Sequence, residues 1–413
     1  MDYTHWHVDA RLVKAFIDKS ADTIDWLEKM GVEFLDVGCH NPGFNFTWHI
    51  VKGASSGPAQ TGLGANMMKA LTDRAQKLGV KFFLRTPARK ILKEGSRIAG
   101  MIAENESGEE IQAKARAVII ATGGFGDNPD MIKKYGGYDW GRDLLAMRVP
   151  GVVGDGLRMA WEAGAAATEM TMELSHVNVP EIENFSPACI SFRQPGLIVN
   201  QAGERFMDEA IMGNPSFVAN AVARQKHRCA FIILDEGTKN DYTQKGFDFT
   251  PDSLVGFTTA RNFDVEIKQA LDRGNNNIFV TSSLEELASK NGISQNNLMK
   301  TVDDYNRACE TGRDELFHKN PRYLRPVKQP RFYAGRLLPT AIGSLGGIKI
   351  NYKTEVLNRD DEVIPGLYAA GLDANSIYGD SYAFVLPGNT MGFALNSGRI
   401  AGESAAAYIQ TYR

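Results

Sequence analysis

Cysteine is scarce in this chain of 413 residues. Its four, Cys39, Cys189, Cys229 and Cys309, are scattered and never approach C-x-x-C spacing. That excludes a disulfide framework or a cysteine zinc site and predicts reduced thiols. Cys39-His40 echoes the end of the haem attachment motif C-x-x-C-H, but Asp36 stands where the first cysteine belongs, which argues against covalent haem. Net charge is scarce too. A formal charge of -3 gives no electrostatic case for nucleic acid or an anionic membrane, so a small molecule is the expected partner. No apolar run reaches the length of a membrane span, and MDYTHWHVDARL lacks the basic and apolar regions of a signal peptide. A cytoplasmic chain is expected. His5, His7, His40 and His49 lie close in sequence, but no pair has helical i, i+4 ligand spacing with carboxylate support, and no metal is expected.

One further absence matters most. A dinucleotide fold opens on G-x-G-x-x-G after its first strand, and that pattern is missing. Gly62-Leu63-Gly64-Ala65-Asn66-Met67 and Gly124-Phe125-Gly126-Asp127-Asn128-Pro129 both fail at the sixth position. What is present still has nucleotide-fold texture. In ARAVIIATGGFGDNP, the apolar run Val118 to Ala121 ends abruptly in Thr122-Gly123-Gly124, as a buried parallel strand does when it delivers its backbone to a ligand. With 43% hydrophobic and 23% charged residues, the chain is globular and long enough for two or three domains.

Apolar spacing predicts a first helix through Leu12, Phe16, Ile24 and Leu27 that stops at Met30-Gly31, and a second after TGLGA that closes at Gly79. VKFFLR from Val80 reads as a strand, and residues 88 to 114 as a small β-meander turning at Glu94-Gly95-Ser96 and Glu106-Ser107-Gly108. GVVGDGLRMAWEAGAA is another glycine-rich turn feeding a helix. From about 180 to 336 the texture changes to a hairpin-like GLIVNQAGERFMDE, a strand AFIILD and helical segments, without a phosphate loop. Nucleotide-fold texture returns with GGIKINYKTEVLN and GLYAAGLDAN. A long last helix opens at LPGNTMG, with Ala394, Gly398 and Gly402 placed for close approach to a neighbour. Its free amides, Gly388 to Met391, make an anion site at the positive end of the macrodipole.

Thr122-Gly123-Gly124-Phe125, Gly154-Asp155-Gly156, VNQAGERFMDE, GLYAAG and LPGNTMGFALNSGRIAG occur here in one order. In that order the chain resembles the FAD-binding fumarate reductase and succinate dehydrogenase flavoprotein family, which includes the 3-ketosteroid dehydrogenases. The resemblance implies an α/β fold with an α+β cap: a discontinuous Rossmann-like FAD-binding domain, residues 1-179 and 337-413, with a capping and substrate domain, 180-336, inserted. Members of that family begin with a β-α-β unit bearing G-x-G-x-x-G, and this chain starts downstream of it. It is therefore expected to be truncated relative to the family. A non-catalytic remnant, or a subunit needing a partner for FAD binding, stands as the alternative.

The resemblance also implies FAD as cofactor, with Ala88 at the adenine, Thr122, Gly123 and Gly124 near the pyrophosphate, Asp155 at the nucleotide end, and Gly371 with Gly388, Asn389, Thr390 and Met391 at the ribityl chain and flavin. A helix start suits that place because reduced flavin gathers negative charge at N1 and C2=O. The implied reaction is hydride transfer between flavin N5 and an activated alkene. The family's dicarboxylate residues are missing, Gly213 and Val385 standing at the arginines and Gly343 at a histidine. Neither glycine nor valine reproduces a guanidinium fork. Fumarate is thus disfavoured, though kept as an alternative, and a neutral enone-like substrate is expected. Tyr382 is the candidate to donate or accept a proton or to polarise a carbonyl, Tyr378 its reserve, and His176 a substrate-site histidine by position. Arg205 and Glu209 are expected to pair with each other. A separate electron-donor protein is a possible partner.

Overall fold

The computed structural model describes residues 2–39, 44–53, 63–147, 149–249 and 257–411; His40 and Gly62 fall outside them. Helix Ala10–Lys29 buries Leu12, Phe16, Thr23 and Leu27 along one face. Asp9 caps it by accepting from the Arg11 amide, and Gly31, at φ +90°, ends it. That face packs on the last helix, Asn389–Thr411, where the rings of Phe16 and Phe393 meet edge to face at 5.8 Å and Asn396 Nδ2 donates to the Phe16 carbonyl. The expected close-approach stripe is not the packed one. Nothing lies within 4 Å of a Cβ placed on Gly398 or Gly402. The helix turns its larger Phe393 and its hydrogen-bonding Asn396 and Ser397 inward, because they bury more area and find partners.

The meander is present as antiparallel strands Ala88–Glu94, Arg97–Glu104 and Glu110–Lys114. VKFFLR is not a strand. No described strand pairs with it, and Phe83 and Leu84 are 68% and 81% exposed, because β-propensity without a neighbouring edge has no ladder to join. The nucleotide-fold core survives as a parallel pair, Val118–Ile120 beside Val363–Ala369, with Glu355–Leu357 antiparallel on the far side. The molecule is of the α/β class.

The 16-residue strand Phe332–Gly347 organises the rest. Its first half pairs with Ala230–Asp235 and Ile278–Thr281, and its second half with Thr171–Asn178, so it runs unbroken through position 336. AFIILD is buried at all six positions. The hairpin expected in GLIVNQAGERFMDE is only half formed, because strand Leu197–Val199 has no returning partner from residues 204–207. Arg205 leaves the surface there instead. Its guanidinium holds Glu209 at 2.7 Å and Asp314 at 2.9 Å, and Lys319 Nζ reaches Glu209 at 3.3 Å and Tyr305 Oη at 2.9 Å. Burial pushes the Asp314 carboxyl up, but the hydrogen bonds from Arg205 outweigh it and hold the group down at about 2. Glu209→Ala leaves the buried Lys319 without its carboxylate and Arg205 with Asp314 alone. It is expected to cost about 3–5 kcal/mol in urea unfolding; a cost below about 1 kcal/mol would show that the cluster relaxes.

Candidate active site

One cleft of about 310 Å3 opens between residues 185–249 and the start of the last helix. Strand Thr171–Asn178 gives it Ser175 and His176, the segment before the last helix gives Tyr382 and Phe384, and the helix start gives Gly388, Thr390 and Met391. Trp48, Phe185, Met212, Val218 and Phe249 make the walls largely apolar. His176 and Tyr382 are thus brought together, as the sequence placed them. Tyr378 does not line the cleft; it is buried behind Tyr382, rings 5.2 Å apart, and its hydroxyl also faces Thr390. His176 Nδ1 lies 2.6 Å from Ser175 Oγ.

The helix start is less open than its sequence suggests. The Asn389 amide bonds the Leu386 carbonyl, and its side chain donates to the Ala383 carbonyl at 2.7 Å, tying down the loop it ends. The Thr390 amide and hydroxyl both lie against the Tyr382 hydroxyl. Two of the four expected anion-binding amides are therefore engaged within the chain. Gly388, at φ +82°, keeps the approach clear, since a Cβ there would stand 3.0 Å from Trp48 Cδ1. An isoalloxazine edge fits this place: a largely apolar slot ends on helix-start amides, at a glycine no side chain can replace.

Thr122, Gly123 and Gly124 face inward in another way. Their three amides donate to the Asp373 carboxylate, the Thr122 hydroxyl lies 3.0 Å from it, and the Gly156 amide donates in turn to that hydroxyl. A pyrophosphate would have to displace this carboxylate to use the same donors. Burial raises the Asp373 carboxyl against the lowering effect of those amides. Asp373→Ala leaves buried donors unpaired, and a loss of about 2–4 kcal/mol in urea unfolding is expected. A change within about 0.5 kcal/mol would mean water replaces the carboxylate without cost. Gly371, at φ +64°, donates its amide to Ser397 Oγ at 2.9 Å, fixing the turn against the last helix. Asp155 opens helix Asp155–Glu162 and pairs with Arg158, while Ala88 begins its meander strand, half-buried. These two contribute nothing to the cleft.

Three features were not read from the sequence. Gly213 leaves a space that Phe249 fills, its ring 3.3 Å from where a Cβ would be. Arg193 supplies a guanidinium from another element: half-buried, it lines the cleft with its Nε enclosed and unpartnered, and one Nη donates to Asn184 Oδ1 at 2.8 Å. No carboxylate among the described residues pairs with it, and burial lowers its pKa. Lastly, Gly343 opens room for Glu173. A Cβ there would be 2.9 Å from Glu173 Oε2, and the fully buried Glu173 is bonded by Thr390 Oγ1 at 2.6 Å. A glutamate inside the buried strand TMELSHVN was the signal available.

Comparison with known proteins gives the frame. The family model described as "FAD binding domain" matches residues 1–390. The vinyl phenol reductase of Lactiplantibacillus plantarum is 35% identical over 99% of this chain and 83% of its own length. A cytochrome-type fumarate reductase of Shewanella frigidimarina is 29% identical over 97% of this chain, which spans 64% of that protein. In fold, the chain superposes on the 3-ketosteroid-Δ4-(5α)-dehydrogenase of Rhodococcus jostii with a TM-score of 0.72 at 23% identity, covering 97% of this chain and 80% of that one. No described helix is long and apolar enough to cross a membrane.

Proposed function

Since the chain belongs to the FAD-binding flavoprotein family of fumarate reductases and succinate dehydrogenases, with FAD as its cofactor and carbon–carbon double bonds as its field of chemistry, we propose that it reduces a single-ring alkene whose ring carries an anionic oxygen, such as the phenolate of 4-vinylphenol. The observation that carries this is Arg193. A half-buried guanidinium whose Nε is enclosed and which no described carboxylate pairs is costly unless something entering the cleft supplies the negative charge. The neutral enone expected from the sequence leaves that charge uncompensated. Dicarboxylates fit no better, since Gly213 and Val385 offer no second guanidinium. A volume near the lower end of the roughly 300–1,000 Å3 usual for ligand sites favours one ring over a steroid. The resemblance to the vinyl phenol reductase of Lactiplantibacillus plantarum points the same way.

Bound FAD supplies hydride from N5; the chain supplies everything else. Arg193 holds the ring oxygen as the anion. That charge pushes electrons toward the terminal alkene carbon, which takes a proton from Tyr382 and leaves the benzylic carbon poor in electrons and ready for hydride. Burial, then the neighbouring Glu173, push the Tyr382 hydroxyl well above its ordinary value, so it enters the reaction as a phenol and acts as a donor. The apolar walls keep bulk water from competing for that proton. Electrons reach the flavin from a separate donor protein.

The test is a panel of 4-vinylphenol, a neutral enone and fumarate, offered to the FAD-loaded protein with a reduced viologen as electron source. Turnover of 4-vinylphenol at least about tenfold above the others in kcat/KM, about 1.4 kcal/mol of discrimination, is expected. Preference for fumarate would defeat the reading. A second reading, that FAD binding needs a further polypeptide segment, is favoured by the exposed Phe82, Phe83 and Leu84 and by strand Val118–Ile120 having one neighbouring strand among the described residues. Dialysis of the chain against FAD decides it: near-stoichiometric retention by the chain alone defeats this alternative.

A further inference from the structure

We propose that Glu173, Thr390 and Tyr382 form a line that stores a proton beneath the cleft and hands it to the substrate carbon. The inference rests on the reductase reading above. Its geometry runs in one direction. Glu173 is wholly buried, with Oε1 2.6 Å from Thr390 Oγ1 and Oε2 without a partner. The Thr390 hydroxyl lies in turn against the hydroxyls of Tyr382 and Tyr378, and of these two tyrosines Tyr382 is the one that lines the cleft with Thr390. With Glu173 protonated, its acid hydrogen goes to Thr390 Oγ1, the threonine hydrogen to Tyr382 Oη, and the tyrosine hydrogen faces the cleft.

The surroundings keep that proton in place. Burial, only partly offset by the Thr390 hydrogen bond, pushes the Glu173 carboxyl up to about 8. The titratable groups beside it are Tyr378 and Tyr382; the long strand offers Gly343 and the turn after strand Val363–Ala369 offers Leu372, both without charge. In one turnover Tyr382 gives its proton to carbon as the alkene π bond becomes two C–H bonds, the other hydrogen arriving as hydride. Thr390 then reprotonates Tyr382, Glu173 reprotonates Thr390, and water restores Glu173. Two electrons leave the reduced cofactor and one net proton enters from solvent. Glu173 touches no substrate and is a positioning residue, acting through its two partners.

Infrared difference titration of the FAD-free protein tests the store directly. The carbonyl band of a protonated carboxylic acid should persist at pH 7, disappear near pH 8, and be missing in Glu173→Gln. Stability gives a second readout. The unfolded chain loses this proton near its ordinary value of 4.5 while the native state keeps it to about 8, so between those values the unfolded state binds fewer protons and native stability falls as pH rises. Glu173→Gln lacks that loss, so its Tm should exceed that of the wild type increasingly from pH 5 to pH 8 and no further above. In the loaded enzyme, kcat of the wild type should fall as pH rises through about 8, while Glu173→Gln is slower by about 10–100-fold and flat with pH. Thr390→Val should match that loss yet keep the infrared band, and Thr390→Ser should restore turnover. A wild-type carboxylate already ionised at pH 7, or a Glu173→Gln variant with unchanged kcat and pH profile, overturns the proposal. If the band is present but the wild type reduces none of the three alkenes, the reading of the reaction fails while the proton store stands.

Discussion

Tyr382→Phe is expected to lower kcat for 4-vinylphenol by about 10²–10³-fold with KM changed by less than about threefold, the range for losing one positioned acid. The reasoning is local. Among the described residues Tyr382 is the one phenol that both lines the cleft and meets Thr390, whereas Tyr378 meets Thr390 from behind it and does not line the cleft. The ring has a separate structural part, edge-on to Phe384 at 5.1 Å, and phenylalanine keeps that contact. Fold and Tm should therefore hold while turnover falls. Tyr378→Phe, which removes a hydroxyl that does not reach the cleft, should cost far less activity than Tyr382→Phe. Stopped-flow traces of the two variants separate them, and equal losses in both would remove Tyr382 from its role.

Arg193→Met makes the second large effect, and its sign differs between function and stability. Without the guanidinium, the phenolate enters an apolar cleft unpaired. kcat/KM for 4-vinylphenol should drop by about 10²-fold or more, and a neutral enone should lose nothing. Removing a half-buried cation that no described carboxylate balances should at the same time raise stability by roughly 1 kcal/mol, because methionine fills similar volume without the desolvation cost. The pH dependence should change in parallel. The wild type favours the ionised ring oxygen, so the variant needs a higher pH to reach the same apparent affinity. A variant that is less stable and keeps its phenol selectivity would assign Arg193 to the scaffold.

Much of this architecture was legible because it rests on backbone requirements. The strand ending at Thr122-Gly123-Gly124, the meander turns at Gly95 and Gly108, and the helix opening at Gly388 each need a glycine or an apolar run that the sequence displays. His176 and Tyr382, far apart in sequence, do share one cleft. What escaped were side chains that answer one another across the fold. Asp373 fills the amide cradle of Thr122 to Gly124, and Glu173 occupies the room that Gly343 vacates. Arg193 brings positive charge to a cleft where the expected arginine positions, 213 and 385, hold none. Such exchanges are invisible along the chain because each residue alone reads as ordinary. The strand expected at VKFFLR failed for a related reason: propensity is a local property, whereas a strand needs a second edge.

The central claim, that this cleft delivers hydride and a Tyr382 proton to one alkene, is tested most directly by anaerobic single turnover. The FAD-loaded protein is reduced, mixed with one equivalent of 4-vinylphenol, and followed by flavin absorbance alongside product analysis. The account predicts that oxidised flavin returns in step with one equivalent of 4-ethylphenol, and more slowly by about 10²-fold in Tyr382→Phe. Flavin that stays reduced in the presence of 4-vinylphenol would contradict it.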